Sequence, residues 1–476
     1  MAKASIPIRA IFGGMIAAPL VLAGCSFAPE YLRPAPPVAS QWPAAGEFAG
    51  RPVAELPWQD FFPDSRLQAL IGAALAHNRD LRIAVARVEE ARGLYGIARA
   101  DRIPATTLSL GRDASLTPAG ASATGRELKV DRYDFNLNLL SFELDFWGRV
   151  KNLSDAALAS YLATEEAGRA FRLSLIADVA DAYLSLAELQ ERSALARETL
   201  GNRQESLRLV TLRRDAGVAG DLDVLQARGS VETARAELAS LERQRAAAGN
   251  ALTLLVGQTP EGLPPGRSLS HQGIVPDLAA DLPAEVLLRR PDVRSAEQKL
   301  MAANANIGAA RAAFLPRISL TAALGSASGA LADLFASGTR SWSFSPVLQQ
   351  PLFGGISVAN LDVAEARKVL AVAEYEKAIQ QAFREVADLL AAREALREQL
   401  LAQEAAEKAQ NERLRIVEIR YKGGVASHLE LLDAQREAFA AQQNAVLVRR
   451  LQLSNAAQLY KALGGGDKPA AGPAPA

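Results

Sequence analysis

The sequence predicts a mainly α-helical chain with a membrane-facing β part, arranged as two structural repeats. Three observations carry that prediction. First, a helical hairpin occurs twice: a shift of 207 positions lays Arg213 on Arg420, Gly217-Val218-Ala219 on Gly424-Val425-Ala426, Leu222 on Leu429 and Leu225 on Leu432. The same shift pairs Ala227 with Ala434, Leu252 with Leu459 and Gly257 with Gly464, so the repeat governs every local reading. Second, the stretches Arg149 to Ala216 and Leu352 to Lys422 contain no proline, and the first would form a helix of roughly 100 Å. Third, the residues ahead of each long stretch alternate between apolar and polar, as in Tyr133-Asp134-Phe135-Asn136-Leu137-Asn138-Leu139.

The 476 residues carry 53 basic and 53 acidic side chains, hence no formal net charge at pH 7. That balance lacks the basic face that nucleic-acid binding needs. One cysteine excludes a disulfide framework and a multi-cysteine metal site, and the three histidines, His77, His271 and His428, share no ligand spacing. After the N-terminus no run of about 20 apolar residues occurs, so a membrane crossing would have to use strands.

At the N-terminus, Lys3 and Arg9 precede the apolar run Ile11 to Ala23, the pattern of an export signal over residues 1–24. The run ends Leu22-Ala23-Gly24-Cys25, which resembles a bacterial lipobox and implies cleavage before Cys25 and its acylation. The alternative is an ordinary signal peptide with a chance cysteine. By the same resemblance, Ser26 permits transfer to the outer membrane. Residues 25–63 follow as a proline-rich arm, with Trp42 and Trp58 available to pin it.

The first repeat spans 64–257: a helix from an Asp64-Ser65 cap to about Ala100, strands near 103–112 and 131–146, and helices 149–216 and 221–256. Val231, Ala234, Leu238, Leu241, Ala248, Leu252 and Leu255 give the return helix a coiled-coil seam, interrupted by Arg245. Pro and Gly dominate the linker 258–284. The second repeat, 285–465, lays Asp292 on Asp80, Arg294 on Arg82, Gly308 on Gly96, Arg311 on Arg99 and Pro316 on Pro104, all 212 positions apart. Its strands are expected near 316–325 and 341–350 and its helices over 352–422 and 427–463, with a disordered tail at 466–476.

Four strands of roughly ten residues can cross a bilayer when tilted, yet single-chain barrels need at least about eight. If the strands face lipid, several subunits must therefore close a barrel together. Two soluble hairpins capping a helical bundle remain the alternative on the residues alone.

The segment Leu287-Leu288-Arg289-Arg290-Pro291-Asp292-Val293-Arg294-Ser295-Ala296-Glu297 resembles a hallmark of the lipoprotein channels of tripartite efflux systems, the TolC-like family in its OprM and NodT branch. The run from Asn304 to Leu320, with Trp342-Ser343-Phe344, Pro351-Leu352-Phe353-Gly354-Gly355 and Ala382 to Asp388, carries the same resemblance, which covers Cys25 to Gly465. It implies a homotrimer with a twelve-stranded outer-membrane barrel and a twelve-helix periplasmic tunnel. An equatorial belt would be built from 258–284 and the terminal segments. It implies an exit duct for drugs and other small molecules, served by a periplasmic adaptor and an inner-membrane RND-type pump. Residues 112–130 and 325–340 would form the external loops.

The resemblance also assigns residues. The glycine turns would lie at the periplasmic end, with Gly217, Val218, Gly424 and Val425 docking the adaptor. Glu430 and Asp433 share a helix face and match paired acids that ring a closed aperture; three subunits would crowd six carboxylates there, raising pKa values and attracting cations. In the first repeat Asp223 keeps one acid, while Gln226 replaces the other. Tyr421 matches a latch tyrosine, but the latch arginine falls at Ala426, so another closing contact is expected. The covalent lipid on Cys25 is the one attached group expected; no cofactor is. A type I protein-secretion channel and a structural periplasmic coiled-coil lipoprotein are the alternatives. With no nucleophile–base pair, phosphate loop or metal spacing, an enzyme is the weakest reading.

Overall fold

The computed structural model describes residues 26–42, 53, 56–274 and 283–465. The expected signal segment, Cys25 and the expected tail lie outside the described residues, as do parts of the arm and of the 258–284 linker. In chain order the elements are α1 (Trp58–Phe61), α2 (Ser65–His77), α3 (Arg79–Ala100), β1 (Thr106–Thr117), β2 (Leu128–Glu143), α4 (Arg149–Asp215) and α5 (Asp221–Val256). The second half gives α6 (Pro283–Arg289), α7 (Pro291–Ala312), β3 (Arg317–Ser328), β4 (Arg340–Gln349), α8 (Gly355–Lys422) and α9 (His428–Ala462). Among the described residues no helix is long and apolar enough to cross a membrane.

Several expected bounds move, each for a local reason. The helix read as continuous from 64 to 100 breaks at Asn78, whose extended backbone (ψ 131°) ends α2. Its side chain accepts from Leu81 N at 2.8 Å and donates to Leu255 O at 2.8 Å, so the break is a cap tied to α5. The second repeat breaks at Arg290, the position 212 residues on, where Pro291 opens α7. The first long helix stops at Asp215, and α8 starts at Gly355, because Pro351-Leu352-Phe353 stay outside it. Strands run 12, 16, 12 and 10 residues, so the β1–β2 and β3–β4 connections shrink to 118–127 and 329–339.

The chain divides into two compact units, described separately. One comprises described residues within 26–35, 87–165 and 295–375. Its four strands form one antiparallel sheet in the order β1-β2-β3-β4. β2 pairs with β3, joining the repeats, while β1 and β4 are edge strands. Register fixes the faces. Leu108, Leu137, Leu324 and Trp342 stand in one cross-strand row, and Thr106, Leu139, Ala322 and Phe344 in another on the same face. The intervening row, Thr107, Asn138, Ala323 and Ser343, lies on the opposite, polar face. Between Leu139 and Phe142 a bulge interrupts the β2–β3 register, with Ser141 at φ 39°. At Gly325 a Cβ would collide with the Phe135 carbonyl oxygen, so only glycine lets β3 approach β2 there.

In the same unit the N-terminal strap is clasped by helix side chains. Ser26 Oγ donates to Asn152 Oδ1 at 2.9 Å, and Asn304 Nδ2 donates to Pro29 O at 2.7 Å. Arg33 grips Glu297 with two bonds of 2.6 and 3.0 Å, and Tyr31 donates to the same carboxylate at 3.0 Å. A Cβ on Gly308 would sit 2.6 Å from Ala28 N, which explains glycine on that helix face.

The other unit comprises described residues within 36–86, 166–294 and 376–465. Its core stacks Phe61 on Tyr460 at 4.4 Å, with Phe62, Leu67, Leu70 and Ile71 fully buried alongside. Trp42 stacks on Phe383 at 4.9 Å, holding the arm. Asp64 is fully buried and accepts from Tyr183 Oη (2.7 Å), Arg66 N (2.8 Å), Arg267 N (3.1 Å) and Gln272 Nε2 (3.2 Å). Arg290 donates to Ala462 O at 2.8 Å and pairs with Asp292 and Glu385, each at 2.7 Å. Along α5, Val231, Ala234, Leu241 and Leu252 of the expected seam are buried.

Candidate functional site at the paired glycine turns

The two turns that join α4 to α5 and α8 to α9 share one backbone design. Gly217 and Gly424 both have φ 76°, a left-handed value that glycine takes without steric cost. Val218 N donates to Arg213 O at 2.9 Å and Gly217 N to Arg214 O at 2.8 Å. Val425 N donates to Arg420 O at 2.9 Å and Gly424 N to Tyr421 O at 3.0 Å, the same Schellman pattern. That motif usually tucks its following apolar residue against the helix. Here Val218 is 65% and Val425 72% exposed, so both valines point into solvent.

The return helices are capped by different chemistry. Ser427 Oγ accepts from Glu430 N at 3.1 Å. At the first turn Gly220 offers no side chain, and Asp223 reaches back to accept from Gly220 N at 3.3 Å. Asp223 is thus engaged as a cap.

Glu430 and Asp433 are ion-paired within the chain. Arg420 reaches Glu430 at 3.0 Å, while Arg413 and Arg436 each reach Asp433 at 2.6 Å. The hydrogen bond from Arg413 holds the Asp433 carboxyl below its ordinary pKa, with Arg436 adding to the effect. Within the protomer the nearest charges to Asp433 are guanidinium groups, whereas the crowding of carboxylates expected at the aperture belongs to an assembly of three chains.

Tyr421 also acquires a partner that the sequence did not disclose. The guanidinium carbon of Arg213, from the other hairpin, lies 5.3 Å from the Tyr421 ring centroid. The ring of His428 lies 5.7 Å from Tyr421, tilted by 47°. Tyr421 packs on the buried cluster Val417, Leu431 and Ala434. The signal for Arg213 was present in the repeat, since it aligns with Arg420; nothing in the spacing marked His428. Among the described residues no group of three His, Cys, Asp or Glu side chains could hold a metal ion.

Exposed apolar positions around the turns repeat as well. Leu209, Leu212, Val218 and Leu222 are exposed, and so are Ile416, Ile419, Val425 and Leu429, each 207 positions on. The sheet repeats the theme, with Leu108, Leu137, Leu324, Trp342 and Phe344 exposed on its apolar face. Two soluble hairpins would leave that face in water; a face of this kind belongs against hydrocarbon.

A sheet with one exposed apolar face and two edge strands, carried by a chain of long helical hairpins, defines a membrane channel subunit. The chain belongs to the outer membrane efflux protein family, whose family model matches residues 70–258 and 282–465. It is 45% identical over 450 residues to outer membrane protein OprJ of Pseudomonas aeruginosa, covering 94% of each chain. It is 47% identical over 457 residues to the solvent efflux pump outer membrane protein SrpC of Pseudomonas putida, covering 94% of this chain and 96% of that one. Its fold matches the open state of the MtrE outer membrane channel of Neisseria gonorrhoeae with a TM-score of 0.86 at 40% identity, covering 93% of this chain and 98% of that one. The outer-membrane channel OprN matches with a TM-score of 0.84 at 32% identity, covering 93% and 99%. The fold is TolC-like, and the protein is an outer-membrane efflux channel that extends into the periplasm.

Proposed function

We propose that three copies of this chain form the exit duct of a tripartite efflux system, a passive conduit rather than a catalyst. The observation that carries the reading is the four-stranded sheet with two edge strands and one apolar face. Four strands fall short of the roughly eight a closed barrel needs, and edges left unpaired in a bilayer are untenable. Three copies would pair β4 of one with β1 of the next and supply twelve strands. Residues 64–257 and 285–465 act as the two repeats of each subunit, joined by 258–284. Cys25 carries the lipid, and the Ser26–Asn152 bond would tether that anchor beside the start of α4.

In this reading the glycine turns meet a periplasmic adaptor, with Gly217, Val218, Gly424 and Val425 on the docking surface. The adaptor links the duct to an inner-membrane pump of RND type. Exposed apolar residues that recur at both turns support contact with protein rather than water. Glu430, Asp433 and Asp223 line the aperture, the first two as partners of arginines and Asp223 as the cap of α5, so the closed end carries a ring of ion pairs. SrpC is named for solvent efflux and TtgI of Pseudomonas putida for toluene efflux; small lipophilic solutes are the cargo proposed here.

Native mass spectrometry of the detergent-purified, lipidated protein tests the assembly. The expected mass is that of three chains with three lipid anchors. A stable monomer or dimer that conducts in planar bilayers would overturn the shared barrel.

A further inference from the structure

His428 is a buried polar side chain that the duct reading leaves without a task. It is 7% exposed, and neither ring nitrogen has a hydrogen-bond partner. Buried polar atoms ordinarily find one. The residue opens α9, where the helix dipole disfavours a cation. The groups facing it come from every element of the tip. α4 presents Arg213, α5 presents Asp223, and α8 presents Tyr421, whose ring face Arg213 occupies at 5.3 Å. On its own helix, Glu430 is engaged by Arg420 at 3.0 Å.

We propose that Arg213, Tyr421 and His428 form a proton-released latch between the two hairpins of one protomer. With His428 neutral, the imidazole packs against Tyr421 while Arg213 takes the ring face, and the first hairpin is held to the second. A proton from periplasmic water then lands on the one ring nitrogen that carries no hydrogen, and no hydrogen bond competes for it. The resulting imidazolium is buried at a helix N-terminus beside the exposed Arg213, against one carboxylate, Asp223. The site relaxes when the hairpins part and the imidazolium reaches water.

The sign follows from the same groups. Burial, first, and then Arg213 push the His428 pKa below its ordinary value, and Asp223 opposes them. The latched form therefore binds a proton less readily than the parted form. Latching is fully favourable above the ordinary histidine value of about 6.5 and weakens as pH falls through and below it. Coupling of proton binding to hairpin separation then opens the tip in mildly acidic periplasm. This last step rests on the reading that the tips close the duct; the latch itself does not.

Two readouts on the full-length trimer in lipid nanodiscs and planar bilayers separate these claims. The chain has three histidines, so histidine-selective carbon-13 labelling gives three ring signals, and His428→Gln identifies one. That signal is expected to be displaced by the Tyr421 ring current, to titrate below about 6.5, and to lose its displacement as it titrates. Tyr421→Leu should remove the displacement at all pH values. In parallel, wild-type conductance is expected to rise on the order of tenfold between about pH 7.5 and about pH 5. His428→Gln should flatten that rise, and Arg213→Gln should raise conductance already at about pH 7.5. A His428 signal that titrates at the ordinary value, with its ring-current displacement intact throughout, overturns the latch whatever the conductance does. A signal that behaves as expected beside pH-independent conductance upholds the latch and overturns the tips as the closure.

Discussion

Asp64 shows how one buried carboxylate organises residues distant in sequence. It caps α2 and gathers Tyr183, Arg267 and Gln272 around the same two oxygens. Burial alone would raise its pKa, but the hydrogen bonds from Tyr183, Arg267, Arg66 and Gln272 outweigh burial and lower it. Its contribution is therefore present above the ordinary carboxylate range near about 4 and lost as pH falls through the lowered value. Asp64→Ala should cost about 3 kcal/mol at neutral pH, because it strands four donors in a dry site. Thermal unfolding followed by circular dichroism checks this, and the gap to wild type should narrow as the pH falls through the lowered Asp64 value, beneath the ordinary carboxylate range. Of this site, the sequence showed only the cap. An Asp-Ser pair ahead of an apolar run is legible; a tyrosine 119 positions away that donates to it is not, because no local pattern specifies it. Arg213 and His428 escaped for the same reason, since their partners belong to other helices.

At the scale of elements, the glycines separate into turns that need only a dihedral angle and positions that also need space. Gly217 and Gly424 have φ 76° with nothing within 4 Å of where a Cβ would stand, so alanine at either should cost about 1 kcal/mol of backbone strain. Gly257 has φ 80°, and a Cβ there would collide with the His77 carbonyl at the end of α2. Gly257→Ala should therefore destabilise the protein by more than twice as much as Gly424→Ala, read as the difference in unfolding temperature. Gly308→Ala makes a sharper local test. Its Cβ would displace Ala28, so the strap should become sensitive to added protease while the helices stay intact. The repeats and their glycine turns were legible because backbone demands recur with the repeat. Strand ends were less so. The second strand was expected over 131–146, and β2 has the same 16-residue length displaced to Leu128–Glu143, through a bulge that lets pairing resume at Phe142. β1 and β3 run 12 residues against an expected ten. The break at Asn78 also lacked a proline or glycine to announce it; asparagine supplied the cap by its side chain.

For the whole molecule, the exposed valines matter more than their size suggests. Val218→Asp with Val425→Asp should leave the trimer and its conductance intact while abolishing efflux in cells, because the change alters only what a partner meets at the tips. Minimum inhibitory concentrations of a lipophilic solute, compared with the trimer recovered from the same membranes, provide the measurement. Loss of the trimer in parallel would assign these residues to assembly instead. The apolar face of the sheet belongs to the same scale. Period-two patterning predicted that the strands would be two-faced, but it could not say whether the apolar face met protein or lipid. Register decides it, by aligning Leu108, Leu137, Leu324 and Trp342 across four strands with no covering layer among the described residues.

The two turns share their backbone hydrogen bonds and their exposed valines, yet differ in side chains at the caps and at the Asp221 and His428 positions. A ring of three such chains is sixfold to a partner that reads backbone and valine, and threefold to one that reads charge. Duplication has thus left this gene a division of labour: one copy of the turn can keep an old fit while the other is free to acquire a new sensitivity.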